Sequence, residues 1–103
     1  KLLLHNGAVV EAIDSRGWTP LHHAAFSGNE AATRMLLEAS ANIKAANCHR
    51  RGPLHLACIT RKSALAKLLL EKGADIEAKD KDGWTALHHA IAARNFPAVI
   101  LLL

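Results

Sequence analysis

Residues 17–24 read GWTPLHHA, residues 50–57 read RRGPLHLA and residues 83–90 read GWTALHHA, one phrase returning every 33 positions. That period constrains the fold more than any other feature. Laid out in rows of 33, Asp14, Asn47 and Asp80 open the rows, Leu21, Leu54 and Leu87 share a column, and Ala24, Ala57 and Ala90 share another. Leu3, Leu36, Leu69 and Leu102 form a fourth column. NGAVVEAID (6–14) matches KGADIEAKD (72–80), which makes residues 1–13 the tail of a preceding repeat. The rows are then 14–46, 47–79 and an incomplete 80–103. A unit this short cannot bury its own apolar face, so neighbours must stack into a continuous core.

Each row also predicts its own local structure. Thr19 and Pro20 suit the start of a helix, as cap and first-turn residue, and Leu21, Ala24 and Ala25 follow at helical spacing. Gly28 supplies a left-handed stop, and Asn29 caps a second helix whose buried face is expected to use Ala32, Met35, Leu36 and Leu37. Small alanines in the first helix let the pair lie close. After Ala39 the pattern gives way to loop.

GWTPLHHAAFSG followed by MLLEASANI resembles the ankyrin repeat over the whole chain. That resemblance implies an all-α repeat solenoid of stacked helix-turn-helix units joined by β-hairpin loops. It also implies non-catalytic protein–protein interaction through the hairpin tips and the concave face of the first helices. Both ends lack the polar outer face of a terminal repeat, so flanking ankyrin repeats are expected on either side.

Paired histidines raise metal or acid–base chemistry. His22-His23 and His88-His89 are adjacent, so their side chains diverge, whereas zinc-binding pairs sit four apart on one face. Histidines of neighbouring repeats would stand about 8–10 Å apart, too far to share a metal. The resemblance makes His22, His55 and His88 structural, with Thr19 and Thr85 as partners. His23 and His89 should face the concave side, as solvated polar residues or partner contacts. No nucleophile–base set, glycine-rich phosphate loop or carboxylate pair is present, so neither an enzyme nor a cofactor is expected.

For a protein partner, the variable tip and first-helix positions are the candidates: Arg16, Trp18 and Phe26, then His49, Arg50 and Arg51, then Lys81 and Trp84, with His23 and His89 beside them. Trp18, Arg51 and Trp84 occupy one column and should align at roughly 10 Å intervals. These residue types dominate binding hot spots. The alternative is packing, each tryptophan covering its own hairpin or sandwiching Arg51. Net charge is +4, and the excess lies in residues 47–79, with seven Lys/Arg against three Asp/Glu. An acidic or phosphorylated peptide complements that patch. Nucleic acid fits poorly, because aromatic residues are few and the charge is confined to one repeat.

The departures from the family pattern concentrate in the middle repeat. Arg50 stands for the turn glycine, Gly52 for the threonine and Arg61 for the helix-ending glycine, as Arg94 does later. A different or looser middle turn is therefore expected. Cys48 and Cys58, one at a tip and one in a core column, are not expected to pair, which suits a cytoplasmic or nuclear protein. No apolar run reaches a membrane-spanning length, so no membrane partner is expected. A second reading is a structural spacer that positions other domains.

Overall fold

A computed structural model describes residues 10–103; Leu3 and most of the segment assigned to a preceding repeat lie outside the described residues. Six helices follow in order: α1 (Pro20–Ser27), α2 (Glu30–Glu38), α3 (Pro53–Ile59), α4 (Ser63–Glu71), α5 (Ala86–Ala92) and α6 (Phe96–Leu102). Each odd helix pairs with the next even one, α1 packs on α3 and α3 on α5, and α4 packs on α6. The result is an elongated stack of 38 × 25 × 20 Å. It is an all-α solenoid. Among the described residues no β-strand forms, so the implied hairpins are paired turns. None of the described helices is long and apolar enough to cross a membrane.

The local signals act as their chemistry requires. The His22 amide donates to the Thr19 hydroxyl at 3.3 Å, Pro20 opens α1, and Gly28 ends it at φ 74°. Asn29 caps α2 by accepting from the Ala32 amide at 3.0 Å, and Asn95 caps α6 through the Ala98 amide at 3.3 Å. Ala25, Ala57 and Ala90 are wholly buried, and a larger side chain there would push the helix rows apart. One cluster gathers Leu54, Leu65, Leu68, Leu69 and Leu102; a smaller one holds Val10, Leu21, Ala24 and Leu36. Leu37 packs against both and joins them.

Met35 departs from the expected α2 face, being 59% exposed, while Thr33 is fully buried. At 3.6 residues per turn, Met35 lies about 200° round the helix from Thr33. Thr33 is tolerated inside because its hydroxyl donates to the Asn29 carbonyl at 2.8 Å.

The middle turn also corrects the expectation. It is not a different turn. The Asn47 amide donates to the Arg51 carbonyl at 3.0 Å and the Arg50 amide to Asn47 at 2.9 Å, as Asp14–Trp18 and Gly17–Asp14 do in the first repeat. Arg50 adopts φ 59° to allow this, and Arg61 and Arg94 do the same at φ 63° and 57°. The left-handed region costs an L-residue roughly 1–2 kcal/mol. Replacing Arg94 by glycine removes that strain but loosens the unfolded chain, leaving a net gain of about 0.5–1 kcal/mol. A melting temperature raised by a few degrees in Arg94→Gly is the expected result; a lowered one would mean that the arginine side chain contributes more than the strain costs.

Candidate functional site

The site begins with the residue that opens each turn. Asp14 Oδ1 accepts from the amides of Arg16 (2.9 Å) and Trp18 (3.0 Å). Asn47 Oδ1 does so for His49 and Arg51, and Asp80 Oδ1 for Asp82 and Trp84. One side-chain oxygen thus folds each tip, an Asx-type turn written three times. Adjacent tips are then joined by backbone: the Cys48 amide donates to Arg16 O at 3.0 Å and the Lys81 amide to His49 O at 2.9 Å.

An aspartate has a second oxygen left over. Asp14 Oδ2 accepts from His23 Nε2 at 3.0 Å, and Asp80 Oδ2 from His89 Nε2 at 2.6 Å. Asn47 offers an amide nitrogen there instead, and the residue nine places on is Leu56. Among the described residues its Nδ2 is the buried side-chain polar atom left without a partner. This pairing of Asp with His and of Asn with Leu was present in the alignment of rows and was missed.

It changes the role of two predicted contacts. His89 is 7% exposed, with its ring edge-on to His55 at 5.6 Å, so it belongs to the stack and not to the concave surface. Arg51 is drawn the same way, its Nε donating to Asp80 Oδ2 at 3.2 Å. The tryptophan–arginine sandwich, one form of the packing alternative, does not form, because a buried carboxylate outcompetes an aromatic face for the guanidinium. Burial pushes the Asp80 carboxyl up, but hydrogen bonds from His89, the Trp84 amide, Arg51 and the Asp82 amide outweigh it and hold the group well below the carboxylate range.

Other predicted residues remain outside. Trp18 is half-buried, packed edge-on against Phe26 at 5.2 Å and tilted against His23 at 4.9 Å. The Arg16 guanidinium sits over its ring, 5.1 Å from the centroid, so the cation–π partner is Arg16. Phe26 is 45% exposed and Trp84 38%, the latter tilted against His88 at 5.8 Å and His89 at 4.9 Å. His23, His49, Arg50 and Lys81 are exposed. Two aromatic clusters therefore flank a middle tip that carries His49 and Arg50.

The first histidines tie the repeats together. The Thr19 amide donates to His22 Nδ1 at 3.0 Å, which leaves the proton on Nε2 to donate to Arg51 O at 2.9 Å. His55 repeats this without a threonine: Gly52 N donates to Nδ1 at 3.1 Å, and Nε2 reaches the Trp84 and Ala78 carbonyls at 3.1 and 3.2 Å. His88 Nδ1 accepts from the Thr85 amide at 2.9 Å. Burial lowers the pKa of both His22 and His55 below the ordinary 6.5. Protonation would also place a second N–H against the amide that now donates to Nδ1.

The unfolded chain therefore binds these protons more tightly, so their contribution is complete above about pH 6.5 and lost as pH falls below it. A fall of roughly 5–10 °C in melting temperature from pH 7 to pH 5 is expected, with a flatter profile in His22→Gln/His55→Gln. Equal slopes would remove these histidines as the cause.

Among the described residues no group of three His, Cys, Asp or Glu side chains could hold a metal ion. Cys48 is exposed and Cys58 buried, both free, and burial pushes the Cys58 thiol up to about 12. What remains at the surface is a row of aromatic and cationic side chains on hydrogen-bonded tips. A family model described as ankyrin repeats (3 copies) matches residues 1–80 and 44–103, which together span the chain. Such repeats are in general non-catalytic modules for protein–protein interaction. The chain belongs to the ankyrin-repeat family.

Proposed function

We propose that this chain binds a protein partner, without catalysis, through its loop tips and the exposed side of α1, α3 and α5. One observation carries the reading. Trp18, Phe26 and Trp84 stay partly exposed beside cationic tip residues, although the core does not need them. Arg16, His23, His49, Arg50 and Lys81 complete the contact set. Arg51 and His89 leave it, because both are committed to Asp80. The positive balance of residues 47–79 favours a partner segment that is acidic or phosphorylated. Adjacent tips joined by backbone hydrogen bonds would present these side chains with little ordering cost.

The test compares proteins captured from a lysate by wild type and by Trp18→Ala/Trp84→Ala. Arg51 is left intact, since changing it would disturb Asp80. Proteins retained by the wild type and reduced at least about tenfold by the double variant, at matched helicity and melting temperature, are expected. Unchanged capture would favour the second reading, a spacer that uses this segment for stacking alone.

A further inference from the structure

Beside the middle turn lies a cavity of about 390 Å³, within the range of ligand-binding pockets. It opens between the loop that leaves α2 and its counterpart after α4, with the start of α3 as a wall. Ile43, Pro53, Leu54 and Ala78 give it apolar lining. Neither tryptophan lines it, so it is separate from the aromatic tip clusters.

Three cations line the same cavity, Lys44, Arg50 and Lys79, against the one carboxylate of Asp75. Among the described residues, none of the three makes an ion pair or a side-chain hydrogen bond; the ion pairs formed involve His23, Arg51 and His89. Asp75 turns an oxygen to its own loop, accepting from the Glu77 amide at 2.9 Å.

Arg50 is the informative member. The same turn position is Gly17 in the first repeat and Gly83 in the third, yet the middle repeat holds an arginine at φ 59°. A Cβ at Gly17 would meet the Cys48 amide nitrogen of the neighbouring tip at 3.2 Å, so glycine there relieves crowding as well as φ strain. Of the three tip turns the middle one alone accepts the strain, and it is the turn that brings an arginine to the cavity.

We propose that this cavity docks the carboxylate of an aspartate or glutamate in a partner peptide, with an apolar neighbour of that residue seated against Ile43 and Leu54. The proposal rests on the protein-binding reading above and adds to it a second place and a ligand chemistry. Unpaired cations beside apolar lining attract an anion and strengthen its hydrogen bonds. A carboxylate fits better than a phosphoryl group. Asp75 on the wall repels a dianion more strongly than a monoanion.

The experiment selects on the immobilised chain from four pools of terminally blocked seven-residue peptides, randomised around a central Glu, Gln, phosphoserine or Lys. The Glu pool is expected to be retained about tenfold over the Gln pool, enriched in apolar residues beside the glutamate. Arg50→Gly and Lys44→Ala should each cut that retention about five- to tenfold, and Trp18→Ala should not. Arg50→Gly restores the residue of the other two turns, so its melting temperature should not fall. Equal retention of the Glu and Gln pools, retention of phosphoserine alone, or no retention would overturn the proposal. So would Glu retention that ignores Arg50 and Lys44 but is lost with Trp18. In each case the lysate comparison still decides separately whether the chain binds a protein.

Discussion

Asp80→Ala is expected to destabilise the protein by about 2–3 kcal/mol, lowering its melting temperature by more than 10 °C. The side chain is fully buried and accepts four hydrogen bonds, from the Asp82 and Trp84 amides, Arg51 Nε and His89 Nε2. Truncation leaves a buried imidazole and a guanidinium without their anion and undoes the turn that carries Trp84. Removing one partner of a wholly buried pair costs about 3–5 kcal/mol; Arg51, with 28% of its side chain exposed, can turn to water and soften the loss. Asp14→Ala is the matched control. It makes three of the four contacts, without an arginine, at a turn where Asp14 and His23 are 39% and 52% exposed, and its effect should be far smaller. Equal effects at the two sites would contradict the role given to burial.

The same carboxylate fixes an acid limb. Its folded pKa lies below the ordinary 3.8, so its contribution is complete above that value and lost as pH falls further. This window lies well below that of His22 and His55, and Asp80→Ala should flatten it alone.

Leu69→Ala should cost about 3–4 kcal/mol, the largest single effect expected. Leu69 is wholly buried in the cluster that includes Leu54, Leu65 and Leu102, so the cavity it leaves has walls from more than one repeat and cannot easily collapse. Met35→Ala on the equivalent helix of the preceding repeat should change stability by less than about 0.5 kcal/mol, because that side chain is 59% exposed. Thermal or urea unfolding of both variants checks the contrast. A large loss at Met35 would mean that further chain covers it.

These contrasts mark where the sequence was legible. Columns of Leu and Ala, the Thr–Pro entry to α1 and the Asn29 cap are local or periodic signals, and the helices form where those signals lie. Helical spacing marks Met35 as apolar without saying which neighbour covers it: it is 59% exposed, whereas its counterpart Leu68 on α4 is 2% exposed, and buried Thr33 is a polar residue made tolerable by a bond to its own helix. The Trp18–Arg51–Trp84 column exists as a register but not as a stack. A residue 29 places away, Asp80, takes the guanidinium, and no single-row reading brings those two groups together. The Asp–His and Asn–Leu correspondence at a separation of nine was visible in the rows. Read as chemistry, it would have moved His89 from the surface to the interior. Arg50 is the opposite case: the sequence marked it as a rule-breaker, and the structure keeps the turn while bearing the strain.

The central claim, that a partner sits on the tips, is tested most directly by photo-crosslinking. A benzophenone amino acid would replace His49, exposed at the middle tip, and in a second protein Lys67, exposed on α4. The account predicts a crosslink to the captured partner from position 49 and none from position 67. A crosslink from 67 with none from 49 would contradict it and move the binding surface to the second helices.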